Sequence, residues 1–162
     1  MIEKAYCPSP FGYFLIEGSE HGIRRVNLSD KKRVPNTEVP GVLKDCVDQL
    51  SAYFARERQE FDLKLDWAGH PEFNQAVWAE LIQIPYGHTT SYSQIANRLN
   101  NPKSVRAVGQ ANRNNPIAII VPCHRVIAKS GDLQGYFYGL DMKRKLLELE
   151  NPMSFASQGS LF

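Results

Sequence analysis

Cysteine is scarce in this chain of 162 residues: there are three, Cys7, Cys46 and Cys123, and no two form a CxxC pair. An odd count at such wide spacing excludes a disulfide framework and a zinc ribbon and fits a reducing compartment. Long apolar runs are also missing; none approaches the roughly 18 residues of a membrane span. The opening Met1-Ile2-Glu3-Lys4-Ala5-Tyr6 lacks the basic region and apolar stretch of a secretory leader, so a cytoplasmic protein is expected. Acid is absent from one long segment. Between Glu80 and Asp132 there is no carboxylate, while Arg98, Lys103, Arg106, Arg113, Arg125 and Lys129 fall inside. Such a segment forms a basic surface suited to a polyanion, or a solvated face that merely lacks acids. Elsewhere the balance is even: residues 1–70 carry 10 basic and 11 acidic side chains. What is present, 43% hydrophobic and 22% charged residues, is ordinary globular material for one domain or two small ones.

The pattern predicts an α+β chain. Residues 11–17 and 22–28 are short β-prone runs joined by Gly18-Ser19-Glu20-His21, a hairpin. After Pro40 and Gly41, Leu43, Val47, Leu50 and Phe54 form a helical stripe bordered by Cys46. Phe61, Leu63, Leu65 and Trp67 alternate with polar residues as in a half-buried strand. Ala68-Gly69-His70-Pro71 reads as a boundary.

Beyond it the chain is mostly helical. Phe73, Val77, Leu81 and Ile84 continue an apolar stripe from Pro71 until Pro85-Tyr86-Gly87 stops it. Ser91-Tyr92-Ser93-Gln94 has capping-box spacing and opens a short helix. Asn100-Asn101-Pro102 supplies a turn and a second start, with Val105, Val108 and Ala111 inward and Arg106, Gly109, Gln110 and Arg113 outward. The pair is a helix-turn-helix candidate. Ile117-Ala118-Ile119-Ile120-Val121 reads as a buried strand. A last helix, 140–150, puts Met142, Leu146 and Leu149 inside and Lys143, Arg144 and Lys145 largely outside.

Chemistry concentrates at Pro122-Cys123-His124-Arg125. A cysteine at the end of a buried run is placed where reactive groups are presented. A neighbouring imidazole can take its proton and produce the nucleophilic thiolate. Adjacent residues of an extended chain point to opposite faces, so this needs a turn or a bridging water. The alternative is a buried structural cysteine beside a satisfied histidine.

The octet Ile120-Val121-Pro122-Cys123-His124-Arg125-Val126-Ile127 resembles the active-site signature of the O6-alkylguanine-DNA alkyltransferases. Arg106-Ala107-Val108-Gly109 is similar to the family's recognition-helix motif, and Asn115-Pro116 to its asparagine hinge. Pro85-Tyr86-Gly87 through Ser91-Tyr92 resembles the opening of its helix-turn-helix; Gly135-Tyr136, Lys143 and Leu146-Leu147 through Glu150 resemble its closing loop and helix. Residues 1–69 resemble its RNase H-like N-terminal α/β domain in layout only. The implied division is 1–69, an alkyltransferase domain 70–152 and a flexible tail 153–162.

The resemblance implies a monomeric DNA-repair protein that moves an alkyl group from guanine O6 in double-stranded DNA onto Cys123, irreversibly and once per molecule. It makes Cys123 nucleophile and acceptor, His124 the base acting through a water, Glu150 its orienter, and Asn115 the holder of the turn. Tyr92 and Lys143 assist the departing guanine. Tyr136, Phe137, Tyr138 and Val126 line the pocket, with the Phe137 backbone N–H on guanine O6. The base must be extruded; Arg106 fills the gap from a recognition helix in the minor groove, where Ala107 and Gly109 allow close approach. Tyr92 turns the target phosphate, and Gln110, Asn112 and Arg113 contact the backbone. No cofactor and no metal are implied. The family's usual Gly-Tyr-x-Gly-Gly stands here as Gly135-Tyr136-Phe137-Tyr138-Gly139, so Tyr138 is expected to narrow the pocket mouth.

The ending Gln158-Gly159-Ser160-Leu161-Phe162 resembles the Gln-x-x-Leu-Phe peptides that dock bacterial proteins on the sliding clamp, with Gln158 setting register and Leu161 and Phe162 as anchors. The other reading packs Leu161 and Phe162 on the protein's own surface. Two rival functions are weighed: a non-catalytic lesion binder or DNA-dependent regulator on the same scaffold, and a Cys-His hydrolase of small molecules.

Overall fold

A computed structural model describes residues 1–34, 38–131 and 136–153. The chain divides into two compact units, 1–68 with 116–118, and 69–115 with 119–162.

The first unit is built on an antiparallel sheet, β1 (Glu3–Ser9), β2 (Gly12–Ser19) and β3 (Gly22–Leu28), in that spatial order. Period-two alternation puts Ala5, Cys7, Phe14, Ile16, Ile23 and Val26 on the buried side. Helix α1 (Gly41–Phe54) packs on β1 and β2 through Leu43, Cys46, Leu50 and Tyr53. Cys46 therefore sits within the stripe rather than at its border, and Val47 is only half-buried. The helix ends in a Schellman motif: Glu57 N–H donates to Ala52 O (2.9 Å) and Arg56 N–H to Tyr53 O (3.0 Å), with Arg56 left-handed at φ 61°.

Two expected strands shrink to isolated bridges. The alternating segment 61–67 pairs only at Leu65, in parallel with Ile23, through bonds of 2.8 Å on each side. A Cβ on Gly22 (φ +129°) would lie 2.7 Å from Lys64 O, so only glycine admits this approach. The apolar run 117–121 forms isolated bridges only, Ile117 pairing with Val26, before Ile119 turns the chain at φ 72°. A buried β-branched residue in that conformation cannot continue a ladder.

The second unit begins with α2 (Glu72–Ile82), for which Pro71 is the N-cap rather than a first-turn residue. Its Trp78 Nε1 donates to Ala111 O at 2.8 Å, tying α2 to α4 (Val105–Arg113). Helix α3 (Tyr92–Arg98) starts with the expected capping box, Ser91 and Gln94 bonding reciprocally. It ends at Asn100 (φ 57°) in a second Schellman motif, Asn101 N–H to Ala96 O at 3.0 Å, followed by a 3-10 turn over Pro102–Ser104 that leads into α4. That is the helix-turn-helix. On α4 the inward residues are Val108, Ala111 and Asn112, whereas Val105, expected inside, is 38% exposed. Two short strands, β4 (Thr90–Ser91) and β5 (Val126–Ile127), pair in parallel, Thr90 with Val126 and Ser91 with Ile127. Helix α5 (Leu140–Glu150) turns Met142, Lys143, Leu146, Leu147 and Glu150 inward. Its stripe is rotated from the expected one: Lys143 is fully buried and Leu149 only partly so. Among the described residues no helix is long and apolar enough to cross a membrane.

Candidate active site

The β4–β5 pairing sets Tyr92, first residue of α3, against the turn that carries the cysteine. Cys123, His124 and Arg125 form a 3-10 turn immediately before β5, closed by Arg125 N–H to Pro122 O at 3.0 Å. The chain is thus not extended here, and the geometric objection to cooperation between neighbours falls away.

Cys123 is 6% exposed. Burial pushes its thiol up; a hydrogen bond from the Asn115 side chain, the Lys143 charge and backbone N–H groups of Cys123 and His124 pull it back only in part. At rest it is therefore a thiol, which needs a base. Cys7 and Cys46 are fully buried, and burial drives both upward, Cys46 to about 12, so neither offers a thiolate.

His124 is fully buried, its Nε2 lies 2.6 Å from Glu150 Oε2, and its Nδ1 is buried without a hydrogen-bond partner among the described residues. Burial lowers the imidazole's proton affinity against the pull of Glu150, so it stands neutral. Burial raises the Glu150 proton affinity, but His124 and Arg125 outweigh it and hold the carboxyl well below the usual carboxylate range. Arg125 reaches Glu150 with two nitrogens, Nε to Oε1 at 2.8 Å and Nη2 to Oε2 at 3.0 Å, and donates Nη1 to Ile84 O at 2.7 Å. Gly87 N–H adds a longer bond to Oε1, 3.4 Å.

Two asparagines hold the turn. Asn115 Nδ2 donates to Val121 O at 2.8 Å. Asn112 corrects an expectation. It was placed on the DNA face, but it is 1% exposed and donates Nδ2 to Cys123 O at 3.3 Å. It shares a face with Val108, four residues earlier, and that helical spacing was the signal for an inward position.

Lys143 lies wholly inside, Nζ donating to Val126 O at 2.6 Å; burial lowers it from the ordinary 10.5 to about 8 against the pull of Cys123. Tyr92 is half-buried and raised by burial and by Cys123. Tyr136 is 6% exposed, its hydroxyl unpartnered among the described residues and raised chiefly by burial. Its ring meets Tyr138 edge-on at 5.6 Å, and Tyr138 in turn meets Phe137 at 5.0 Å. Val126 is buried, whereas the Phe137 side chain is exposed. On α4, Arg106, Ala107, Gln110 and Arg113 are exposed; Gly109 is half-buried, and a Cβ there would lie 3.9 Å from the Tyr92 ring. Gly135 and the tail residues Gln158, Leu161 and Phe162 lie outside the described residues. No group of His, Cys, Asp or Glu among the described residues is arranged to hold a metal. Arg125 corrects a second expectation: counted with the basic surface, it is 6% exposed and bonded to Glu150. A buried arginine requires a carboxylate, and that requirement was its signal.

A sheltered thiol followed in sequence by a buried His–Glu pair, set beside a basic helix-turn-helix, defines a class of nucleic-acid-modifying proteins with a cysteine acceptor. Two family models match this chain. The 6-O-methylguanine DNA methyltransferase ribonuclease-like domain matches residues 2–67, and the DNA binding domain of the same name matches residues 72–152. Among curated relatives, the methylated-DNA–protein-cysteine methyltransferase of Mycobacterium tuberculosis is 47% identical over 93% of each chain. That of Methanosarcina acetivorans is 49% identical over 90% of this chain and 96% of its own. Among solved structures, the Mycobacterium tuberculosis O6-methylguanine methyltransferase is 46% identical, covers 94% of each chain and superimposes with a TM-score of 0.82. A structure of Mycobacterium tuberculosis OGT in complex with DNA is 47% identical over 91% of each chain, with a TM-score of 0.81. The chain belongs to the 6-O-methylguanine DNA methyltransferase family.

Proposed function

We propose that this chain repairs O6-alkylguanine in DNA by moving the alkyl group, methyl in the simplest case, to Cys123 Sγ in a single irreversible event. The observation that carries the reading is the buried Nδ1 of His124, unpartnered among the described residues, the imidazole being held through Nε2 by Glu150 and the neighbouring thiol being kept protonated by burial. His124 takes the thiol proton through a water, and Glu150 stabilises the imidazolium. The thiolate attacks the alkyl carbon; a carbon–sulfur bond forms as the carbon–oxygen bond breaks, and the electron pair leaves on guanine O6. Tyr92 and Lys143 supply the hydrogen bonds and proton that the departing guanine needs. Alignment and a leaving group suffice, so the chemistry calls for no cofactor.

A stacked base is beyond reach of an in-line thiolate, so the nucleotide is turned out at a cost of a few kcal/mol. Arg106 enters the gap from the minor groove, Ala107 and Gly109 permit the approach, and Gln110 and Arg113 meet phosphates. The acid-free tract supports this by leaving no carboxylate to repel them. Tyr136, Tyr138, Val126 and the Phe137 backbone receive the base. The setting is cytoplasmic, the protein acts as a monomer, and the tail docks on a sliding clamp through Gln158, Leu161 and Phe162.

The test is single-turnover transfer from a duplex carrying one radiolabelled O6-methylguanine, followed by peptide mapping. Label on Cys123 saturating at one methyl per protein is expected. Tight binding without transfer marks a lesion binder, and repeated turnover marks a hydrolase. Clamp binding that survives deletion of residues 158–162 refutes the tail assignment.

A further inference from the structure

Glu150 receives its hydrogen bonds from one side of the chemistry and passes their effect to the other. Its two oxygens accept from Arg125 Nε and Nη2 and from Gly87 N–H, and Oε2 lies 2.6 Å from His124 Nε2. The three N–H contacts require the carboxylate to accept. A proton on Oε1 would have to displace a donor, and one on Oε2 would have to sit in the contact with Nε2 against the Arg125 charge, in a site where both side chains are shut off from solvent.

We propose that Arg125 is a positioning residue that selects the proton-accepting atom of His124: by holding Glu150 as an acceptor-only carboxylate, it obliges the imidazole to carry its hydrogen on Nε2 and so leaves Nδ1 as the lone-pair atom that takes the Cys123 proton. The inference rests on the functional reading above and deepens it. Without the guanidinium, Glu150 can take up a proton and donate it to Nε2; the imidazole hydrogen then moves to Nδ1, and the base is lost although every ring stays in place. Arginine suits the task because its fork meets both oxygens in one plane while its third nitrogen is fixed on Ile84 O and its face lies 5.8 Å from the Tyr86 ring centre. A lysine ammonium keeps the charge but cannot grip both oxygens in that plane.

The groups facing the His124–Glu150 pair are Cys123 and Arg125 on the same turn, Lys143 on α5 and the Tyr136 hydroxyl ahead of α5. Tyr136 titrates far above the range at issue; Lys143, at about 8, changes charge within it in wild type and variant alike, so the reading is the difference between their profiles.

The experiment combines 15N spectra of histidine-labelled full-length protein with pH profiles of single-turnover methyl transfer, using Arg125→Met and Arg125→Lys, with His124→Gln to assign the resonance. Wild-type His124 should be neutral at pH 7, with its hydrogen on Nε2. Arg125→Met should lose about tenfold or more of its rate at pH 7, the scale typical of an outer-shell partner. Its acid limb should move up by about 1–3 pH units, as for a carboxylate losing an arginine neighbour, with rate recovering toward pH 9. Arg125→Lys should fall between the two. A wild-type hydrogen on Nδ1, or a folded Arg125→Met protein with the wild-type tautomer and pH profile, overturns the proposal. If Arg125→Met does not fold, the wild-type tautomer and the Arg125→Lys profile decide. If wild type transfers no methyl at all, the functional reading fails, and the tautomer in wild type and Arg125→Lys still decides this one.

Discussion

Replacing Lys143 by methionine separates what this residue costs the fold from what it gives the chemistry. The side chain is fully buried and lowered from 10.5 to about 8. At about 1.4 kcal/mol per pH unit, that lowering amounts to about 3 kcal/mol. The unfolded chain holds the lysine proton up to pH 10.5, whereas the folded protein gives it up near pH 8. Below pH 8 the whole cost is therefore present; between 8 and 10.5 it shrinks as pH rises, and above 10.5 it is gone. Methionine removes this cost but leaves Val126 O without its 2.6 Å donor, a loss of about 1–3 kcal/mol. At pH 7 the variant should thus be as stable as wild type or up to about 2 kcal/mol more stable by these two contributions. By pH 10 wild type should have overtaken it. Urea unfolding of both proteins at pH 7, 8.5 and 10 reads the difference, and single-turnover transfer should be slower by about a hundredfold in the variant. A stability gap that stays constant across the three pH values would refute the assignment of Lys143 as a buried, strained cation.

Three further outcomes follow from the geometry. Arg56→Gly, which relieves a left-handed arginine at the end of α1, should stabilise the protein by about 1 kcal/mol in urea or thermal unfolding; no gain would mean that the Schellman turn is unstrained. Asn112→Ala should cost about 1–2 kcal/mol of stability and leave affinity for undamaged duplex unchanged, whereas Arg113→Ala should weaken that affinity and flatten its salt dependence; the reverse pattern in a salt titration would restore Asn112 to the DNA face. Tyr138→Gly should speed reaction with free O6-benzylguanine while leaving transfer from O6-methylguanine in duplex DNA near wild type, and equal benzyl reactivity in the two proteins would remove the narrowing role of Tyr138.

Much of this architecture was legible where local chemistry decides structure. The Ser91–Gln94 capping box and the stop at Asn100 are read directly from residue types whose side chains or backbone preferences make the turn. Alternation misled where no partner strand exists: Phe61, Leu63, Leu65 and Trp67 have strand periodicity, yet β3 offers them a single pairing position. The run 117–121 failed as a strand because Ile119 adopts a conformation that no propensity announces. Periodicity also sent Lys143 outward, since a cation at the edge of an apolar stripe defaults to solvent; only the resemblance to a known family drew it into the site. Asn112 shows the opposite error. The resemblance suggested a phosphate contact, while helical spacing from Val108 placed it inside.

The concealment of Cys123 bears on the lifetime of the molecule as well as on its reaction. A protein that acts once has no turnover to fall back on, and its capacity is the number of copies whose acceptor is still intact. Peroxides and stray electrophiles attack accessible thiolates. A sulfur that is 6% exposed and kept protonated by burial presents them with little of either property. On the proposed mechanism His124 supplies reactivity only when a guanine alkyl group is aligned with the sulfur. The fold thus works as a means of storage, and the pool of unspent protein persists between one lesion and the next.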